Sequence, residues 1–359
     1  MRLVDTLTIY ANPNPLLVSR QAVFPGLVQM PDGDIVAVFS IGQAFDSADQ
    51  RAVVSRSCDN GRTWSDPERL CSHECQPEES ESYKPLLLAD GRLLATGYTF
   101  IRPGLLVPIV DPETFEVLPM RNKVAFSHDG GRTWTNPAAF SVDGAQLELS
   151  GPCIQLSSGR LLGAAAPFHL SKTGHAGWII ASDDQGSNWF KLSEFFRAEN
   201  GAISPWECRL CETVAGEVGV IFWAYDNASG TNLNNHIALS CDGGETFGPA
   251  VDTGIRGQAS NLISLGPDRL LTIHAHREAP VGLVVRKLEV REGRVVIEQE
   301  FDLFADDRMG SDSADISRQF GSLKFGQPSL LRLLDGQILA TCWRLENSQH
   351  VIKGYILAD

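Results

Sequence analysis

The sequence predicts an all-β fold, six four-stranded antiparallel sheets arranged radially as a propeller. Two repeating signals and a closure signal carry that prediction. The first repeat is a turn motif: SRSCDNGRTW (55–64), AFSHDGGRTW (125–134), IASDDQGSNW (180–189) and ALSCDGGETF (238–247), spaced by 70, 55 and 58 residues. The second is an apolar strand, a glycine-centred turn and another apolar strand, recurring about every 60 residues across the 359. Periods of this length mark repeat architectures in which each unit buries its faces on its neighbours. Such a ring is one domain spanning residues 1–359.

In chain order, LVDTLTIYA (3–11) has strand composition but precedes the first hairpin. The hairpins then follow as LVQMPDGDIVAVF (27–39), LLLADGRLLATG (86–97) and CIQLSSGRLLGAA (153–165). Less regular versions are RLCETVAGEVGVIFW (209–223) and LISLGPDRLLTIHA (262–275), and LLRLLDGQILATC (330–342) is the last. Asp-Gly or Ser-Gly between β-rich runs makes a tight turn because glycine tolerates positive φ. In the longer motif the aspartate accepts hydrogen bonds from its own turn, and the terminal Trp64, Trp134, Trp189 or Phe247 wedges between sheets. The last unit ends after VIKGYIL (351–357), one strand short, so residues 3–11 are expected to supply its outer strand and leave no open edge.

Composition excludes several classes of function. Thirty Lys and Arg against 44 Asp and Glu give a net charge of −14, with no basic footprint for nucleic acid. No apolar run reaches the roughly 18 residues of a membrane span, and charged Asp5 stands where a signal peptide is apolar. A cytoplasmic chain is the expectation, barring a trimmed leader. The eight cysteines are scattered, without the density of a disulfide scaffold. Cys208 and Cys211 form one CxxC, but on a strand residues three apart point to opposite faces, and no second pair completes a metal set. No cofactor or metal is called for, and the oligomeric state cannot be read from the chain.

The four turn motifs resemble the Asp-boxes (BNR repeats) of the sialidase superfamily, whose members are six-bladed propellers, and the resemblance extends through nearly the whole chain. It implies a glycan site on the face carrying the loops opposite the hairpins and boxes. Carried over position by position, it puts Val23 where the family has its first arginine and offers Asp46 and Asp49 as acid/base. Glu207, in PWECRLCE, matches the glutamate that assists the nucleophile. Asn235 and His236 fall where a second arginine belongs, and Pro280, with Arg277 three residues away, where the third does. The tyrosine nucleophile should open blade six, but FGQPSLL (325–331) has none. Three arginines clamp a sugar carboxylate through charge-assisted bonds; losing two of them and the phenol argues against sialic acid.

The resulting expectation is a hydrolase acting on a non-sialic oligosaccharide or glycoside, either uronic or neutral, with Glu207 and Asp46 or Asp49 as its carboxylate pair. Arg277, Arg344, His169, His276, Trp206, Tyr225 and Glu81 are the candidate binding residues. Each has a plainer reading. Asp46 and Asp49 fit turn residues, and Glu81 lies in the acidic run EESES (78–82), a pattern usually solvated. His274 and His276 share a strand face but lack a third metal ligand. Arg344 and Glu346 fit a mutual ion pair, and Trp206, Trp223 and Trp343 fit core packing. Two alternatives remain: a lyase with His169 or His276 as base and Arg277 or Arg344 neutralising a uronate, and a non-catalytic glycan binder. The 300–324 segment, carrying Asp302, Asp306, Asp307, Asp312 and Asp315 with Arg308 and Arg318, lacks a strand pattern and reads as either a lid or wall, the favoured reading, or a disordered connector.

Overall fold

The computed structural model describes residues 1–71, 79–111, 113–170, 173–291, 293–311 and 322–359. It is six antiparallel sheets in a ring. The chain opens with β1 (Arg2–Tyr10) and then builds blade I from β2 (Gln21–Gln29), β3 (Ile35–Gly42), β4 (Arg51–Ser57) and β5 (Glu68–Arg69). Blade II is β6 (Glu79–Leu87), β7 (Leu93–Ile101), β8 (Met120–Ser127) and β9 (Ala138–Phe140). In blade III the inner strand is broken into β10 (Leu147–Glu148) and β11 (Ile154–Gln155), both paired with β12 (Leu161–Pro167), followed by β13 (Gly177–Ser182) and β14 (Phe190–Phe196). Blade IV is β15 (Ile203–Glu212), β16 (Val218–Asp226), β17 (Thr231–Ser240) and β18 (Val251–Asp252). Blade V is β19 (Ser260–Gly266), β20 (Arg269–His276), β21 (Gly282–Arg291) and β22 (Arg294–Ala305). Blade VI is β23 (Phe325–Arg332), β24 (Ile338–Glu346) and β25 (Gln349–Ala358), and β1 pairs antiparallel with β25 as its fourth strand. The expected closure is therefore observed. One 3₁₀ turn, Asp307–Met309, is the helical structure among the described residues.

The apolar core is divided among the blade interfaces, because each sheet has two faces to cover and its neighbours supply both. Val36, Val38, Leu93 and Ala95 pack blade I on blade II, and Leu162, Ile179, Val220 and Phe222 pack blade III on blade IV. The turn aromatics sit in the same seams. Trp189 is buried between blades II and III, and Trp134 packs into the seam between I and II. Each turn is locked internally: the Asp59 carboxylate accepts from Ser57 Oγ (2.8 Å), Thr63 N (2.8 Å) and Thr63 Oγ1 (2.6 Å), and Trp64 Nε1 donates to Gly61 O at 2.8 Å. Asp129, Asp184 and Asp242 repeat the pattern, and these bonds hold all four carboxyls down at about 2. Cys208 and Cys211 enter different interface cores, as their spacing on β15 requires.

Two sequence readings are corrected. Residues 79–82 of the EESES run are not solvated: β6 begins at Glu79, and Glu79, Ser80, Glu81 and Ser82 are all buried, while Glu78 lies outside the described residues. The 300–324 segment is not structureless throughout, since β22 runs to Ala305 and Met309 packs into the core between blades V and VI. Asp312, Asp315 and Arg318 lie outside the described residues.

Candidate functional site

Three inner strands, β2, β15 and β23, carry the same irregularity. Their registers with β3, β16 and β24 shift between Val23 and Gly26, Trp206 and Arg209, and Gly326 and Ser329. Each shift is a bulge, and each bulge holds a non-glycine residue at positive φ: Phe24 (61°), Glu207 (47°) and Gln327 (39°). A side chain in that region costs about 1 kcal/mol or more. Here the distortion turns all three side chains into one axial cavity of ≈ 320 Å³ at the end of the ring that carries the loops. Val23, by contrast, is buried in the core, so the side chain that blade I presents is Phe24.

Glu207 occupies the polar floor. Its Oε1 accepts from Gln327 Nε2 at 3.4 Å, and its buried Oε2 has no hydrogen-bond partner and lies 3.9 Å from Arg209. Its backbone N–H donates to Oε2 of Glu148 (3.1 Å), a buried carboxyl from the short strand β10. Burial, reinforced by the charge of Glu207, pushes Glu148 up to about 7 against the pull of Arg209. Arg209 is fixed by Ser150 Oγ and Cys208 O, both at 2.9 Å, and its stem fills the space over Gly151, where a Cβ would come within 2.8 Å of it. Behind them Lys84 donates to Phe24 O (3.0 Å), and burial draws its ammonium down to about 7. Tyr98 lines the same floor, its phenol kept neutral by burial and by the charges of Glu148 and Glu207. Arg277 is buried over Gly326, where a Cβ would stand 2.3 Å from its guanidinium, and its Nε donates to Phe325 O (3.1 Å).

Asp46 faces this floor from blade I. Arg102, almost wholly buried, donates to Asp46 Oδ1 (2.8 Å), to Asp46 O (3.1 Å) and to Val107 O (2.8 Å), clipping the blade I loop to that of blade II. The other oxygen, Oδ2, accepts a longer bond from Ile109 N (3.3 Å). Burial raises the Asp46 carboxyl and outweighs Arg102, which pulls it down. The walls are aromatic: Phe24, Phe45, Phe100, Phe168, Trp206, Trp223 and Trp343.

The fold thus brings Glu207, Asp46, Glu81, Arg277 and Trp206 to one cavity. Glu81 supports the wall, accepting from Ala52 N at 2.9 Å. The other expected site residues do not line it. Asp49 folds back onto Gln43 N (3.1 Å), and His169 stacks edge-on against His175 at 4.8 Å. His276 meets Arg286 (3.0 Å) within blade V, where its neighbour His274 is held by Asn235 and Thr272. Tyr225 is buried against Trp223, and Arg344 pairs with Glu346 (3.3 Å) over the ring of Phe304. Asn235 and His236 are also committed, Asn235 to Gln258 O (3.0 Å) and His236 to Asn234 O (2.9 Å). Glu148, Tyr98, Lys84 and Gln327 were not singled out by sequence reasoning. No group of metal-binding side chains occurs among the described residues, and no helix is long and apolar enough to cross a membrane.

No family model matches the chain, and no curated protein matches it. Solved structures do. A protein of unknown function from Dyadobacter fermentans is 23% identical, with 99% of this chain aligned to 98% of that one and a TM-score of 0.77. The NanB sialidase of Streptococcus pneumoniae is 13% identical over 97% of this chain and 70% of its own, with a TM-score of 0.67. A leech intramolecular trans-sialidase is 15% identical over 99% and 70%, with a TM-score of 0.66. At these identities the likeness is one of fold.

Proposed function

We propose that the protein is a glycoside hydrolase acting on a non-sialic glycan at the axial cavity. The observation that carries this reading is the strained, half-buried Glu207, with one oxygen that accepts no hydrogen bond and a second carboxyl, Glu148, against its backbone, lining the same cavity as Asp46. Glycosidic cleavage needs two carboxyl groups flanking the bond, and blades I and IV are opposite each other in a ring of six. Asp46, raised by burial, donates a proton from Oδ2 to the glycosidic oxygen as the carbon–oxygen bond breaks. Glu207 takes a proton from the water that adds to the sugar carbon, while Glu148 holds the Glu207 backbone in place through its Oε2. The aromatic walls suit the C–H faces of a sugar ring. Among the described residues lining the cavity Arg277 is the one cation, fewer than the carboxylate clamp of a sialic acid site uses.

Elimination is the weaker reading, because His169 and His276, its candidate bases, are turned into other contacts. The test is incubation with a panel of neutral, amino and uronic glycosides, following reducing ends and ultraviolet absorbance together. Hydrolysis gives reducing ends without a chromophore. An unsaturated, absorbing product would assign an eliminase, and saturable binding without either product a glycan-binding propeller.

A further inference from the structure

The polar and apolar parts of the cavity are segregated by depth. Glu148, Gln327 and Arg277 are buried at the floor, with Trp206, Trp223 and Trp343 around them. Toward the mouth the lining becomes aliphatic: Ile109 and Val110 are half-buried and Pro108 is exposed, all on the loop after β7. The same loop continues outward to Leu105 and Leu106, which are 78% and 97% exposed. Arg102 ties this loop at Val107 to Asp46, which places the apolar rim beside the acid. Exposed leucines on the loop that also supplies Pro108, Ile109 and Val110 to the cavity lining mark a surface that a ligand covers.

We infer that the substrate is an amphiphilic glycoside: one sugar seated on the floor, joined to an apolar alkyl or aryl aglycone that lies along residues 105–110. A second sugar in that position would be badly served. Aliphatic side chains offer no π-face for its ring and no partner for its hydroxyls, which would be desolvated without compensation. An alkyl or aryl group has no such need and removes Leu105 and Leu106 from water. The inference rests on the glycoside reading of the floor, and its test separates the two.

Quenching of tryptophan fluorescence is titrated with methyl and octyl glycosides of the same sugars (glucose, galactose, N-acetylglucosamine, glucuronic acid), below micelle-forming concentrations, with a matching hexasaccharide and with 1-octanol. Each buried methylene favours binding by roughly fourfold at full value, so even partial burial predicts that the best octyl glycoside binds at least about tenfold tighter than its methyl counterpart. In a Leu105→Ser/Leu106→Ser variant, both changes being on exposed side chains, the ratio should fall below about threefold with Tm maintained. Equal affinity for methyl and octyl glycosides, or tighter binding of the hexasaccharide, overturns the aglycone assignment. If 1-octanol binds as tightly as every octyl glycoside, the sugar contributes nothing, and the glycoside reading of the floor is what fails.

Discussion

Glu148 is an ordinary glutamate made unusual by its position. A carboxyl with its proton held to about pH 7, against an ordinary value of 4.5, binds more protons folded than unfolded between those limits. Stability contributed by this residue therefore falls as pH rises from about 4.5 to about 7, by at most roughly 3 kcal/mol. Lys84, drawn down to about 7, acts with the opposite slope at higher pH, between about 7 and 10.5, so the two windows do not overlap. Glu148→Gln is expected to remove most of the loss between pH 5 and 7, measured by urea unfolding at the two values. An unchanged difference between them would mean that Glu148 is ionised throughout. Glu148 was not legible in the sequence because β10 is two residues long and shows no alternation to read. Glu207 was legible, but only by resemblance; nothing in PWECRLCE announces the positive φ that aims it.

At the level of elements, the bulges and the loop clip build the site. Pro25 and Pro328 follow two of the three positive-φ residues, and a proline inside an inner strand is a readable sign of a bulge. That signal would have located Phe24 and Gln327, whereas Glu207, followed by Cys208, carries no such mark. The hairpins and turn motifs were plain because their chemistry is local: a glycine at positive φ and an aspartate bonded within its own turn. Residues 79–82 of the acidic run misled for the converse reason. Their burial depends on partners distant in sequence, such as Arg121 for Glu79 (3.1 Å) and Ala52 N for Glu81. The Arg102 clip is tested by Arg102→Ala, which removes three bonds and leaves the half-buried Asp46 without its cation. Loss of about 1–3 kcal/mol is expected, with KM raised more than kcat is lowered. Arg102→Lys should recover little, since an ammonium cannot span Asp46 and Val107 as the guanidinium fork does. Full recovery by lysine would reduce the clip to a simple charge contact.

For the whole molecule, closure is the property on which the rest depends. Strand β1 buries Leu7, Ile9 and Tyr10, and Leu7 packs beside Trp64 in the seam between blades VI and I. Burying each such side chain stabilises by about 1.5–3 kcal/mol, so deleting residues 1–11 should lower Tm by roughly 10 °C or more. A shift of only a degree or two would show that the ring holds without its last strand. A closed ring in turn keeps blade I opposite blade IV, and so Asp46 opposite Glu207. Hydrolysis, as proposed, is the work of this opposed pair. Its most direct test is the rate of reducing-end release by the wild type and by Glu207→Gln on the best glycoside of the panel. In Glu207→Gln kcat is expected to fall by at least about 10²-fold, with Tm within a degree or two. Turnover at the wild-type rate in Glu207→Gln would contradict it.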